Sequence, residues 1–383
     1  MSNAAIIPVR PQRDPRIDVM RGLSLLMIFV DHIPDDRLNW LTLHNFGFCD
    51  AAEVFVLLAG FSAMLAYGRS FERDGAISGL RRIALRCGRI YLFQVGLLLT
   101  TLLVVWSWSN HYHLTSKILA PILDKPVAGL AHGLTLRALP SYLDILPLYV
   151  VLLAVFPLVY WGIRHNMWLA LGVSAAIWAT AGLDHSLNLP NWLDDDGWYF
   201  NPFAWQFLFA IGAVLSVQVT ANGGALPQRR WLVWLCGAYL AFCFFQAAPW
   251  HDWHLPNFQL FAMAMPDKSH LNVLRIVDVL ALFYVLMSSA WVRSVAKSAL
   301  LRPVDACGRH SLEVFGLGCL LALFGRLVFR TDGVSMATEF GVNLIGLALM
   351  CGAGLWLDHG RRHSSGSTGL PPVRQYWVPA QRH

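Results

Sequence analysis

Charge is what this sequence has least of. Asp, Glu, Lys and Arg make up 14% of its 383 residues, while 56% are hydrophobic and the mean hydropathy is +0.50. Soluble domains are close to a quarter charged, so polar side chains are too few here to coat a water-facing surface. CxxC pairs are absent, and the seven cysteines (Cys49, Cys87, Cys236, Cys243, Cys307, Cys319, Cys351) fall mostly in apolar runs. There they read as small buried hydrophobes rather than disulfide partners or metal ligands. No HExxH, no Walker or Rossmann glycine pattern and no internal repeat occurs, so no metal site and no nucleotide-binding α/β domain is expected. Nothing alternates like a barrel strand. No small-x-small cleavage site follows the first apolar stretch, which is therefore expected to remain as an uncleaved first helix.

Long apolar runs are what the sequence does have. A helix needs roughly 20 apolar residues to cross the hydrocarbon core, and windows of that size give spans near 17–34, 47–68, 90–108, 142–163, 167–184, 200–219, 231–249, 271–291, 311–329 and 339–357. The expected fold is an all-α, polytopic membrane helix bundle of about ten transmembrane helices with both termini cytoplasmic. Residues 1–16 would form a cytoplasmic N-terminal segment, 17–357 the membrane domain and 358–383 a loosely ordered cytoplasmic tail rich in Ser, Gly, Pro and Arg. The 16 Trp and 10 Tyr suit two membrane–water interfaces.

Charge placement tests the count. With the N-terminus inside, 21 of the 29 basic residues fall on inward regions, six fall outside (Arg37, Lys117, Lys125, Arg137, Lys268, Arg330) and Arg275 and Arg326 lie within spans. Every inward connection obeys the positive-inside rule, which an odd number of spans would scramble. The net charge of +6 is thereby topological, and nucleic acid is not an expected partner; membrane lipids are.

Ionisable residues inside spans are costly and mark function. Here they are Asp18, Arg21, Asp31, His32, Asp50, Glu53, Asp144, Arg275, Asp278, Glu313 and Arg326. Helix one runs outward, so His32, eleven residues after Arg21, stands roughly 16 Å above it. Asp50 and Glu53, Asp144, Arg275 and Asp278, and Asn201, Trp205 and Gln206 all sit near the outer ends of their helices. Five helices therefore bring polar groups to one level in the outer half of the membrane. At the inner face, Arg21, Arg81, Arg82, Arg86 and Arg89 flank helices one and three, and Arg86 and Arg89 make a fork of guanidiniums suited to phosphate. An acyl-CoA would suit both levels, because its flexible arm, on the order of 20 Å, is comparable to that rise. The outward connection 185–199 sets Asp194, Asp195 and Asp196 beside Trp192, Trp198 and Tyr199, a combination that suits a sugar as well as an interfacial anchor.

The segment "DVMRGLSLLMIFVDHIP" (Asp18 to Pro34), with Arg21, ten residues and then His32, resembles the signature of the type-3 membrane acyltransferases. "FGFCDAAEVFVLLAGF" and Arg86-x-x-Arg89 followed by Ile90-Tyr91 are similar to the segments that follow in those proteins. More narrowly, "DILPLYVVLLAVFPL", "WYFNPFAWQFLFAIGA" and "CGRHSLEVFGLG" resemble the OpgC branch, the glucan succinyltransferases of Gram-negative bacteria. Ala59 departs from the wider pattern, where Ser is common before Gly60-Phe61.

The resemblance implies a multi-pass protein of the bacterial inner membrane that moves an acyl group, succinyl in that branch, from cytoplasmic acyl-CoA to a hydroxyl of a periplasmic glucan. Arg21, Arg86 and Arg89 would hold the coenzyme phosphates. His32 would act as general base or acyl carrier, oriented by Asp50, Glu53 or Asp144. Arg275 would meet a succinyl carboxylate or an oxyanion, with Asp278, Asn201, Trp205 and Gln206 on the substrate side. The competing reading is a transporter of a sugar or lipid-linked glycan, for which Pro147, Pro157 and Pro202 offer helix breaks; no matching halves accompany them.

Overall fold

A chain in lipid has to satisfy its own backbone groups, and the apolar runs accordingly fold as helices. The computed structural model describes residues 14–113 and 119–366 and contains no strand among them. Long helices are α1 (Pro15–Asp31), α2 (Ala51–Asp74) and α3 (Ala76–Tyr112). The short α4 (Ala120–Asp124) and α5 (Pro126–Leu134) lead to α6 (Ile145–Leu183), α7 (Pro202–Ala221) and α8 (Arg230–Ala247). Then come α9 (Val273–Ser288), α10 (Ala290–Ala296), α11 (Arg302–Arg309), α12 (Ser311–Asp332) and α13 (Met336–Gly366). Helix α2 contains a π-turn at Met64–Gly68, and the chain leaves it for α3 at Gly75, whose φ of +84° is open to glycine because it has no Cβ.

Seven of these helices are long and apolar enough to cross a membrane, and the pair α9–α10, bent by 80°, makes eight. Helix α6, at 39 residues, would be about 58 Å long if straight, nearly twice the hydrocarbon thickness. It is not straight. At Asn166 the backbone leaves helical geometry (φ −155°, ψ 108°), and the Asn166 side chain accepts from Trp168 N and Leu169 N at 3.0 and 3.1 Å, capping a new helix. A Cβ on Gly162 would lie 3.1 Å from that of Ala170, whereas eight residues along one helix separate by about 12 Å. The far ends meet as well: Leu139 N donates to Asn191 Oδ1 at 3.1 Å. Thus α6 is a hairpin of two antiparallel arms, which matches the expected spans near 142–163 and 167–184. With the 17-residue α1 also counted, the total approaches the ten expected. None of the prolines proposed as breaks interrupts a span: Pro147 lies in the first turn of α6, Pro202 opens α7 and Pro157 lies within a continuous helical arm.

Helix α2 is the centre of the bundle, 72% buried along its apolar window, against 11% for α8 and 22% for α13. Its closeness to α7 requires glycine: a Cβ on Gly60 would lie 1.9 Å from the Phe209 carbonyl oxygen, and one on Gly212 2.1 Å from that of Leu57. Gly22 and Gly308 bring α1 and α11 equally close. Exposed Leu92, Leu103 and Trp106 on α3, Trp231 and Trp234 on α8 and Phe340, Ile345 and Trp356 on α13 form the periphery.

The residues assigned to the inner side share ends in space. Arg293 reaches Asp14 at 3.5 Å, Arg164 reaches Glu72 at 3.3 Å and Arg309 pairs with Asp358 at 2.8 Å. Helix α13 continues to Gly366, past the expected boundary at 357. The rest of the tail and most of the N-terminal segment lie outside the described residues, as do Arg10, Arg13, Lys117, Arg374 and Arg382. Reporter domains inserted in the 222–229 connection or fused after Arg382 should both read cytoplasmic, because the basic-residue asymmetry sets orientation. A periplasmic signal from either would break the even-span topology.

Candidate active site

The outer-level residues converge on a cavity of about 730 Å³. Asp31 and His32 from the end of α1, Asp50 before α2, Asp144 before α6, Arg275 of α9 and Lys268 of the preceding loop all line it. Tyr142, Tyr199, Asn191 and Asp194 complete its polar wall, so the 185–199 connection contributes Asp194 and Tyr199 to the same space. Trp192 instead stacks on His132, with ring centres 5.0 Å apart.

Each polar group is there because an element ends there. His32 is the C-cap residue of α1. Its ring packs against Tyr142 with centres 4.6 Å apart, and its Nδ1 is buried without a hydrogen-bond partner. Arg326, Lys268 and Asp50 are the charges that act on it. Among the described residues no carboxylate hydrogen-bonds the ring; Asp31 instead faces His44 Nδ1 at 3.2 Å. Asp50 and Glu53 form the capping box of α2: Asp50 Oδ1 accepts from Ala52 N at 2.8 Å and Glu53 Oε2 from Asp50 N at 2.9 Å. Asp144 precedes α6 without capping it.

Three of these lining residues, Asp50, Lys268 and Arg275, join Glu53 in a buried ion network. Arg275 Nε donates to Glu53 Oε1 at 2.6 Å and Arg275 Nη2 reaches Asp50 Oδ2 at 3.4 Å. Lys268 Nζ sits 2.5 Å from Asp50 Oδ2, with the rings of Phe200 and Tyr199 at 5.5 and 6.0 Å. Burial opposes the charge on Lys268, but the Asp50 and Glu53 carboxylates prevail and raise its pKa above the ordinary lysine value. Glu53 is fully buried and does not line the cavity, so it positions Arg275 rather than meeting a ligand.

Four expected substrate residues turn inward to the protein. Asn201 caps α7 by accepting from Phe203 N at 3.0 Å and donates to Leu187 O at 2.8 Å. Gln206 bonds Ser174, through Ser174 Oγ at 2.6 Å and Ser174 O at 2.8 Å. Asp278 accepts from Cys49 N at 2.8 Å and fixes the approach to α2. Trp205 donates to the carbonyls of Lys268 and Ser269, both at 3.2 Å, and so supports the cavity's lysine from behind.

The inner basic residues lie on different helices. Arg21 is wedged between α1, α2 and α11, bonding Gly308 O at 3.4 Å, Asp18 at 3.4 Å and the hydroxyl of Ser62. Ser62 thus supplies a hydroxyl one turn from Ala59. Arg89 of α3 is exposed and pairs with Glu313 of α12 at 2.7 Å, and Arg86 is half-buried beside it on α3.

Lys268, Tyr142, Asn191 and His44 line the cavity without being singled out by the sequence. In the sequence Lys268 is one of only six outward basic residues, and that rarity is the one signal it carries. Tyr142 carried none, and its φ of +76° is visible only in the fold.

No curated protein and no solved structure matches the chain. A family profile described as OpgC protein matches residues 13–362, which takes in all the helices that build this cavity. The chain belongs to the OpgC family.

Proposed function

We propose that this protein is an inner-membrane O-acyltransferase that passes an acyl group, succinyl in this reading, from cytoplasmic acyl-CoA to a hydroxyl of a periplasmic glucan. Family membership supports the acyltransferase reading, and one observation carries the site: His32 stands on the wall of a roughly 730 Å³ cavity at the junction of several helix ends, beside Asp31, Asp50, Asp144, Lys268 and Arg275. Neutral imidazole accepts the proton of the sugar hydroxyl as its oxygen attacks the thioester carbonyl carbon. The carbon–sulfur bond then breaks, and the departing coenzyme thiolate takes the proton from the imidazolium. Atoms balance as ester plus free CoA.

Lys268 and Arg275 are held in place by their pairs with Asp50 and Glu53, and their remaining N–H donors are the candidates to meet the carbonyl oxygen as it becomes negative. Asp194 and Tyr199 offer the carboxylate and ring that a sugar favours. Arg21, Arg86 and Arg89 are the candidates for the coenzyme phosphates on the inner side. In this role Arg89 exchanges Glu313 for phosphate, an accessible change because the pair is exposed.

Full-length protein in lipid nanodiscs, given labelled succinyl-CoA and a glucan, should yield labelled glucan ester and free CoA. Glucan movement across a sealed vesicle with no thioester consumed would establish the transporter instead. Arg86→Ala and Arg89→Ala should each raise the apparent KM for acyl-CoA roughly tenfold or more, as expected when a charged hydrogen bond of about 1.5–3 kcal/mol is lost. Unchanged donor dependence in the double variant would limit these arginines to topology.

A further inference from the structure

A second cavity, about 340 Å³, adjoins the first and shares Pro140, Ser141 and Tyr142 with it. Arg326 of α12 lines it, together with Arg330, Cys319, Trp108 and Asp35. The Arg326 guanidinium carbon lies 4.3 Å from the centre of the Tyr142 ring, and His32 packs on that same ring at 4.6 Å. The imidazole and the guanidinium therefore lie within about 9 Å of each other. Resting on the acyl-transfer reading above, we propose that Arg326 and this cavity form the subsite for the free carboxylate of a dicarboxylic acyl donor.

Charge accounting singles out Arg326. Arg275 is already paired with Glu53 and Asp50, and Lys268 with Asp50, so the cations of the main cavity are neutralised by the protein. Among the described residues no carboxylate forms an ion pair with Arg326. Asp35 lines the same cavity without reaching it, and Arg330 adds positive charge there. A guanidinium inside a membrane span is costly unless something answers it. The Tyr142 face answers it in part through its quadrupole, and leaves the planar fork of donors available to a carboxylate.

Length agrees. The end carbons of a four-carbon diacid lie about 4 Å apart, from bonds of about 1.5 Å. With a contact of about 3 Å at each end, such an acyl group can span up to about 10 Å, enough to reach between an imidazole and a guanidinium that lie within about 9 Å of each other. A two-carbon acyl group carries no second carboxylate to place against the guanidinium. Tyr142 fixes this ruler: its φ of +76° is a conformation that costs a non-glycine residue energy and is kept only where the surroundings impose it. Arg275, the sequence-based candidate for the acyl carboxylate, is relieved of that role by its own ion pairs.

The test compares full-length wild type, Arg326→Met and Arg326→Lys in nanodiscs, measuring binding and transfer with succinyl-CoA and acetyl-CoA. Wild type should bind succinyl-CoA roughly tenfold or more tightly than acetyl-CoA, the worth of a charge-assisted pair. Arg326→Met should lose that preference while keeping its acetyl-CoA affinity, and Arg326→Lys should keep part of it. Equal binding of both thioesters by wild type would overturn the subsite. Equal losses for both donors in Arg326→Met would also overturn it, leaving Arg326 as a prop for Tyr142. A loss that follows negative charge on the acceptor glycan instead of the donor would overturn it as well. A retained binding preference without transfer from either donor would refute the acyltransferase reading and leave the anion site standing; no binding of either thioester would remove both.

Discussion

His32→Ala should lower glycan acylation by about 100-fold or more, the usual worth of a positioned general base, while leaving a folded protein that still binds CoA. Folding should survive because the ring's interactions are modest: its Nδ1 makes no hydrogen bond and its main neighbour is the Tyr142 ring. Coenzyme binding should survive because Arg21, near the inner end of the same helix, lies roughly 16 Å away along its axis. The measurement is ester formation at wild-type expression level, with CoA binding on the same sample. Near-normal acylation would remove His32 from the chemistry. Loss of CoA binding together with activity would instead make it a structural residue.

The second large effect concerns the buried ion network at the cavity. Arg275→Ala should destabilise the protein by about 3–5 kcal/mol, because it strands a buried carboxylate that the guanidinium had neutralised. Glu53 has no exposed surface and its other oxygen is committed to Asp50 N, so it cannot turn to water. Arg275→Ala combined with Glu53→Gln should recover most of the loss, since the amide carries no charge and can still accept from Asp50 N. Thermal inactivation of the two variants in detergent gives the comparison. Equal inactivation temperatures for the single and double variants would show that the cost lies in lost packing and not in the stranded charge.

Depth along a helix was legible in the sequence; direction around it was not. His32, Asp50, Asp144 and Arg275 were placed at one level by counting residues from helix ends, and all four line one cavity. Asn201, Trp205 and Gln206 share that level, but α7 is apolar on every side and offers no polar stripe to tell which way its residues point. They face loop carbonyls and Ser174 instead. Asp50 and Glu53 illustrate a signal passed over: Asp-x-x-Glu ahead of an apolar run is a capping box, so one reason for both carboxylates was local from the start. Lys268 was hidden by its loop, since residues 248–272 have no period from which its inward turn could be read. The helical turn at Asn166 fell between two spans already separated in the sequence reading, whereas helix length alone would have merged them.

That turn bears on how the protein is built. A hairpin whose tip carries Arg164 and His165 and whose open end returns to the opposite face can enter the bilayer as one unit, its basic tip retained on the cytoplasmic side. The two segments at its open end are those around Leu139–Asp144 and Asn191–Tyr199, which both line the cavity and are tied to each other by the Leu139–Asn191 hydrogen bond. If the hairpin inserts as one unit, both segments would reach the same face together, ahead of α7, α9 and α12, which follow in the chain.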